Sequence, residues 1–227
     1  MFIAFKEVFT LSNMIYLGKG ALISLGMAAL SLLLGLLLGI IGAVGKRSKH
    51  FLPRLLANIY VEVIRGTPML LQILILFAVI PAIYTQLTGE ILRMNVFVIG
   101  IIAMSIYSGA YSNELIRSGI NSVDKGQWEA CQTLGLSSWQ TMKLVVLPQA
   151  FKIIIPPIIS EFITLIKDSS LTSCIGAVEL LKGAQLLGAQ YFDAMSPYVL
   201  SAFFYLFMTL TISIIGKKVE GKLAESD

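Results

Sequence analysis

The sequence predicts an all-α protein that crosses a bilayer about five times, and three observations predict it. Hydrophobic residues make up 56% of the 227-residue chain and charged residues 13%, against about a quarter charged in a typical soluble domain. Four stretches free of Asp, Glu, Lys, Arg and His are long enough to cross as helices, which need ~20 residues for ~30 Å of hydrocarbon. The ~10-residue alternating segments of a transmembrane barrel are missing. Residues 1–227 therefore read as one transmembrane domain.

The charge-free stretches place spans at about 20–45, 66–88, 94–113 and 196–216. The first does not start until Gly20 and outruns the ~7–15 apolar residues of a signal-peptide core, so a cleaved leader is not expected. Within it, Gly35 and Gly39 form a small-xxx-small pair that lets another helix approach closely. A further span, at about 153–177, is hidden by its own charges. At helical spacing Ser160, Glu161, Thr164, Lys167, Asp168 and Thr172 stack along one side, with Ile158, Phe162, Ile166 and Ile175 elsewhere. Ions facing lipid cost several kcal/mol, so such a stripe must face a bundle interior or a wet cavity. Pro68, Pro81, Pro156 and Pro157 are expected at or near helix ends, where a missing N–H matters least.

Orientation follows from the basic residues. With the segment 114–152 in the cytosol, the N-terminus lies outside and the C-terminus inside. Lys46, Arg47, Lys49, Arg54, Arg65, Arg117, Lys125, Lys143, Lys152, Lys217, Lys218 and Lys222 then fall on the inner side. Only Lys6, Lys19, Arg93 and Lys182 fall on the outer side, a clear positive-inside bias.

The inner segment 114–152 is too long and too patterned for a plain connector. Asp124 with Gln127 reads as a helix N-cap and its reciprocal partner. The helix carries Trp128, Glu129, Ala130 and Cys131, and Gly135 fits the left-handed residue past its end. Ser137 with Gln140 repeats the capping arrangement and starts a second helix expected to end near Leu147-Pro148. The two tryptophans, Trp128 and Trp139, are expected to pack on the loop or on a partner. The result is a rigid, sharply turned knob at the membrane surface.

Glu129-Ala130-Cys131, three residues, Gly135, nine residues, Val145, one residue, Leu147-Pro148 resembles the EAA loop of ABC-importer membrane subunits, whose pattern is E-A-A-x3-G-x9-I-x-L-P. Cys131 stands for the second Ala and Val145 for Ile. Glu62, Arg65, Gly66, Thr67, Pro68 and Gln72 resemble a block of the polar amino-acid permeases. So do Ala110-Tyr111 through Glu114 and Arg117 into Glu129, and Glu161 through Leu171, with Ser160 in place of the usual Asn. The resemblance covers residues ~55 to 175 and implies a type I ABC-importer permease fold. It implies a coupling helix docked on an ATP-binding subunit, with Glu129, Ala130 and Gly135 as its core and Gln127, Cys131, Leu147 and Pro148 in the same element. It also implies two copies of that ATPase carrying the ATP and Mg, an extracytoplasmic solute-binding protein and a second permease copy.

The chain has no G-x-x-x-x-G-K-[S/T] phosphate loop, so it is expected to bind no cofactor and to catalyse nothing itself. Cys131 and Cys174 are too isolated for a metal site or a disulfide framework. The single histidine, His50, sits in a basic loop, which leaves no constellation for an intramembrane enzyme. A basic stripe with interleaved aromatics, as a nucleic-acid binder carries, is also missing. Glu161, Lys167 and Asp168, with Ser160 and Thr164, are the expected pathway residues. Their surplus acid favours an amino acid with a cationic side chain (arginine, lysine or histidine), ahead of cystine or glutamine. Glu62 with Arg65, and Glu114 with Arg117, stand at i, i+3 and either pair with each other or serve a gate or the ATPase contact. The rival reading is a secondary transporter or channel subunit without an ATPase.

Overall fold

The computed structural model describes residues 7–193 and 195–224, which form eight helices and no strand among them. Lys6, counted on the outer side above, lies outside the described residues. Five helices are long and apolar enough to cross a membrane.

Helix α1 runs Leu11–Lys46, opened by Thr10, whose side chain accepts from Asn13 N. At 1.5 Å per residue its 36 residues extend ~54 Å, well beyond a ~30 Å hydrocarbon core. The charge-free count started it at Gly20 because Lys19 interrupts the run, not the helix. Its buried residues Ser24, Ala28, Ser31, Gly35, Gly39 and Gly42 form one seam of small side chains. That seam lies on α4 (Val96–Asn121), whose buried residues include Ser105, Ser108, Ser112 and Asn113. A Cβ added at Gly35 would stand 2.7 Å from Ser108 Cβ, and one at Gly39 2.6 Å from Ser112 Cβ. The small-residue pair thus serves close packing, as expected.

The second crossing differs from expectation. Helix α2 (Phe51–Arg65) was hidden from a charge-free count by Arg54, Glu62 and Arg65. It packs along α4, where the Tyr60 hydroxyl donates to Ile106 O at 2.6 Å. After a break at residues 66–68, α3 (Met69–Thr88) continues, and its Met69 and Ile73 join Met27, Ile99, Met104 and Leu165 in the main core. The break therefore sits beside the middle of α4, and Glu62 and Arg65 close a helix that precedes the span counted from residue 66.

Helix α5 (Lys125–Thr133) is the knob's first helix. The second does not end at Leu147-Pro148. It continues as α6, Ser138–Ile175, through a π-turn at Met142–Val146 and an α-stretch Leu147–Asp168 to a tight 3-10 end. In the π-turn Leu147 N–H reaches back five residues to Met142 O. Pro148 follows at once, where the widened turn relieves the clash a proline ring makes with the carbonyl four residues before it. Helix α3 repeats the device: Ile80 N–H bonds Ile75 O and Pro81 follows. Pro81, Pro156 and Pro157 thus lie inside long helices, not at their ends. Such prolines are tolerated in membrane helices because neighbouring groups take up the freed carbonyls.

Beyond α6, α7 (Leu180–Tyr191) is capped by Glu179, which accepts from the backbone N–H groups of Leu181 and Lys182. The same carboxylate accepts from Ser24 Oγ at 3.0 Å and Tyr205 OH at 2.8 Å. It is fully buried and ties α1, α7 and α8 (Met195–Ala224) together. Its role as a buried N-cap depends on tyrosine and serine donors remote in sequence.

Gly39→Ala should destabilise the chain by about 1–3 kcal/mol, as over-packing does, lowering the melting temperature of the purified protein. Gly26→Ala is the control, because a Cβ there meets nothing within 4 Å. Equal melting temperatures for the two variants would show that the seam opens at no cost.

Candidate coupling knob and membrane-embedded polar site

The knob is built by its caps. Asp124 Oδ1 accepts from Gly126 N at 2.7 Å, so it caps α5 alone, without the reciprocal bond from Gln127. At the other end Leu136 N–H donates to Cys131 O and Gly135 N–H to Gln132 O, each at 3.0 Å. This paired 6→1 and 5→2 closure needs a left-handed residue, and Gly135 has φ +74°. Ser137 and Gln140 form the full capping box. The chain therefore turns sharply and rigidly from α5 into α6.

Gln127, Glu129, Ala130 and Gly135 are exposed, as is Leu134 at 78%. Cys131 is only 4% exposed, so its side chain belongs to the chain's own packing and not to the open face. Trp128 packs under the knob against Ile120, Val123, Val146 and Ala150, whereas Trp139 is 69% exposed. Pro148 is exposed and Leu147 half-buried, both at the start of the straight part of α6.

The second polar centre gathers at the helix break. Gln72 Nε2 donates to Ile64 O at 2.9 Å, to Thr67 O at 3.2 Å and to Thr67 Oγ1 at 2.9 Å. Thr67 Oγ1 donates to Val63 O at 2.8 Å, and Gly66 N–H to Glu62 O at 2.9 Å. The block Gly66-Thr67-Pro68 with Gln72 is therefore a stapled interruption. Pro68 starts α3, and Thr67 and Gln72 satisfy carbonyls that α2 leaves open. In hydrocarbon each unmade bond of this kind costs several kcal/mol.

Glu62 and Arg65 do not pair. Arg65 lies over the Tyr111 ring, 5.3 Å from its centroid, and Tyr111 stacks with Tyr107 at 4.8 Å. Glu161 and Asp168 of α6 lie within electrostatic reach of Tyr107. Ser108 adjoins Glu161, yet Glu161 Oε1 and Ser108 Oγ are both buried without a hydrogen bond. The polar stripe on α6 splits in two. Glu161 and Asp168 form its half-buried inner edge, while Ser160 and Lys167 are exposed along its outer edge. Thr164 Oγ1 turns back to Ser160 O at 3.1 Å. Thr172 leaves the stripe altogether: it is buried, bonded to Ser169 O at 2.7 Å. Glu114 and Arg117 do pair, at 2.8 Å, and Glu114 also holds Lys46 at 2.5 Å, joining the C-terminal parts of α1 and α4. Tyr107 and Ser108 carried no signal as site residues, because each reads as ordinary span composition; Tyr111 stood out only through the permease-like block that it opens with Ala110.

The model of the family described as binding-protein-dependent transport system inner membrane component matches residues 35–225. The chain belongs to this family. The permease is 37% identical over 219 residues to the arginine transport system permease protein ArtQ of Bacillus subtilis, covering 96% of this chain and 97% of that one. It is 35% identical over 211 residues to a putative glutamine transport system permease protein GlnP of Rickettsia typhi, covering 93% and 94%. A crystal structure of an amino acid ABC transporter with histidines superposes with a TM-score of 0.84 at 34% identity, covering 91% of this chain and 94% of that one. The helices thus form an ABC-importer permease fold in a multi-pass membrane protein, and the secondary-transporter and channel readings lose their ground.

Gln72→Leu should strand the Ile64 and Thr67 carbonyls and cost about 1–3 kcal/mol. Thermal unfolding of the purified permease reads this directly, and an unshifted transition would remove Gln72 as the staple.

Proposed function

We propose that the permease is the membrane-spanning subunit of an ATP-driven importer for polar amino acids, in which two copies enclose one pathway. The carrying observation is the set of uncovered ionic side chains on α2 and α6: Glu62, Arg65 and Lys167 are exposed, with Glu161 Oε1 buried without a hydrogen bond. A charge held at mid-bilayer against lipid costs about 3 kcal/mol on insertion scales. A second copy related by a two-fold axis would turn that face into the wall of a wet cavity.

An amino acid brings an ammonium for Glu161 or Asp168 and a carboxylate for Lys167 or Arg65. Among the residues of this face the acids Glu62, Glu161 and Asp168 outnumber the bases Arg65 and Lys167. That surplus favours a cationic side chain, with arginine first, and the arginine permease among the relatives agrees with it. A glutamine permease stands among the relatives as well, so the cargo assignment rests on the charge balance.

The exposed face of α5 is the surface for a separate ATP-binding subunit, two copies of which would carry the ATP and Mg. Closure of that pair on ATP would draw the two knobs together. Each knob passes through the closed turn at 134–137 into α6, and from Ser138 to Glu161 the helix, π-turn included, spans ~35 Å. Displacement at the knob therefore tilts the helix that carries the cargo carboxylates, opening the cavity outward; hydrolysis resets it. An extracytoplasmic solute-binding protein would deliver the amino acid on the side where the N-terminus lies, with α5 and the C-terminus in the cytosol. The permease moves its cargo and catalyses no step.

The deciding experiment is uptake of a labelled amino-acid panel by vesicles containing the permease assembled with its ATPase and binding protein. Arginine should be carried best, and Glu161→Gln should reduce its uptake about tenfold, the scale of one charge-assisted hydrogen bond, with ATPase assembly intact. Unchanged arginine kinetics would take Glu161 out of the pathway. For the knob, Gly135→Val should leave ATP hydrolysis uncoupled from uptake, because a β-branched residue resists positive φ. Gly135→Asn, which tolerates that conformation, should retain most coupling; equal loss in both variants would separate the defect from backbone geometry.

A further inference from the structure

We propose that the groove between the inner ends of α1, α4 and α6 is a binding site for one anionic phospholipid. The groove encloses ≈ 810 Å³, and its walls include Leu36, Ile40, Ile120, Ile154 and Ile158, with Arg47 and Trp139 also lining it. From Leu36 to Arg47 the helix rises ~16 Å, which is one leaflet of a ~30 Å hydrocarbon core. The opposite wall, from Leu147 to Ile158, has the same rise. The groove is therefore as deep as an acyl chain is long.

Its charge is set at one end only. Lys46 is taken up by Glu114, whereas Arg47 is exposed and forms neither of the ion pairs found among the described residues. A guanidinium at the end of an apolar slot matches a phosphate oxygen above acyl chains. Trp139 is at home at the same level, since indoles favour the headgroup region. A helix of a second copy could fill the slot, but it would have to bring a carboxylate to Arg47. A phosphodiester lipid supplies both parts in one molecule. The inference rests on α5 and Arg47 lying on one membrane side, not on the transport reading.

The test uses quenching of Trp139 by lipids with brominated chains. The full chain has two tryptophans, so a Trp128→Phe background leaves Trp139 as the sole reporter. Reconstituted in phosphatidylcholine, the protein is titrated with brominated phosphatidylglycerol or brominated phosphatidylcholine. Half-maximal quenching should need about fivefold less of the anionic lipid, the scale of one basic residue at a membrane surface. Arg47→Gln should remove the preference, Arg47→Lys should keep most of it, and added salt should erode it in the unsubstituted protein, so the result stands even if one variant folds poorly. Equal quenching by the two lipids with Arg47 present overturns the inference. So does quenching by neither, in which case a disulfide between copies through Ile40→Cys would identify the second copy as the occupant.

Discussion

The contact between the small-residue seam of α1 and the serine face of α4 is the constraint on which the rest depends. Lipid tails are as apolar as leucine, so nothing squeezes two apolar helices together in a membrane. Close backbone approach must supply the attraction through packing. Gly35, Gly39 and Gly42 provide it, with α4 side chains seated where their Cβ atoms would be. The cost is visible: Ser108 Oγ, Ser112 Oγ and both polar atoms of the Asn113 side chain are buried without hydrogen bonds. Because α4 is pinned this tightly on one side, its Tyr107 and Tyr111 are held in place on the other. The position of the polar site is thus set from across the helix.

Around that rigid pair α8 runs unbroken, whereas the second and fourth crossings are interrupted, and Gln72 Oε1 at the first break is itself buried without a hydrogen bond. Between α2 and α3 the open carbonyls are taken by Gly66, Thr67 and Gln72. Before Pro81 and Pro148 a π-turn shifts the ladder by one residue. These solutions keep backbone polar groups out of contact with hydrocarbon while leaving points where a helix bends at low cost. Pliable helices against a fixed pair is an arrangement suited to a wall that must move.

Much of this was legible in the residues. The knob's turn could be read because capping is local: Ser137 finds Gln140 three residues on, and Gly135 meets a backbone requirement no neighbour can override. Small residues four apart gave the seam for the same reason. What escaped depended on partners far along the chain. Helix α2 was obscured because Glu62 and Arg65 look like loop residues until the adjoining helix supplies Tyr111. Pro148 read as a stop because a π-turn has no residue signature of its own. Glu179 could not be told from a pathway acid without Ser24 and Tyr205, which solvate it. The stripe on α6 reads as one surface from spacing alone, whereas its half-buried and exposed edges meet different surroundings.

That split bears on how a motor could act on a cargo. Glu161 and Asp168 lie on the edge turned to the fixed helix α4, whereas Lys167 lies on the edge left open. A tilt of α6 driven from Ser138 would move Lys167 relative to whatever faces it, yet would carry Glu161 against Ser108 and Tyr107, which stay put. The unpartnered Glu161 oxygen and Ser108 hydroxyl are then a pair that a small rotation can join or part. On the proposed function, the joined carboxylate would hold an ammonium weakly and the parted one would be free to hold it. Coupling on that proposal would need no long relay of side chains, only a tilt of α6 that moves its acidic edge along α4.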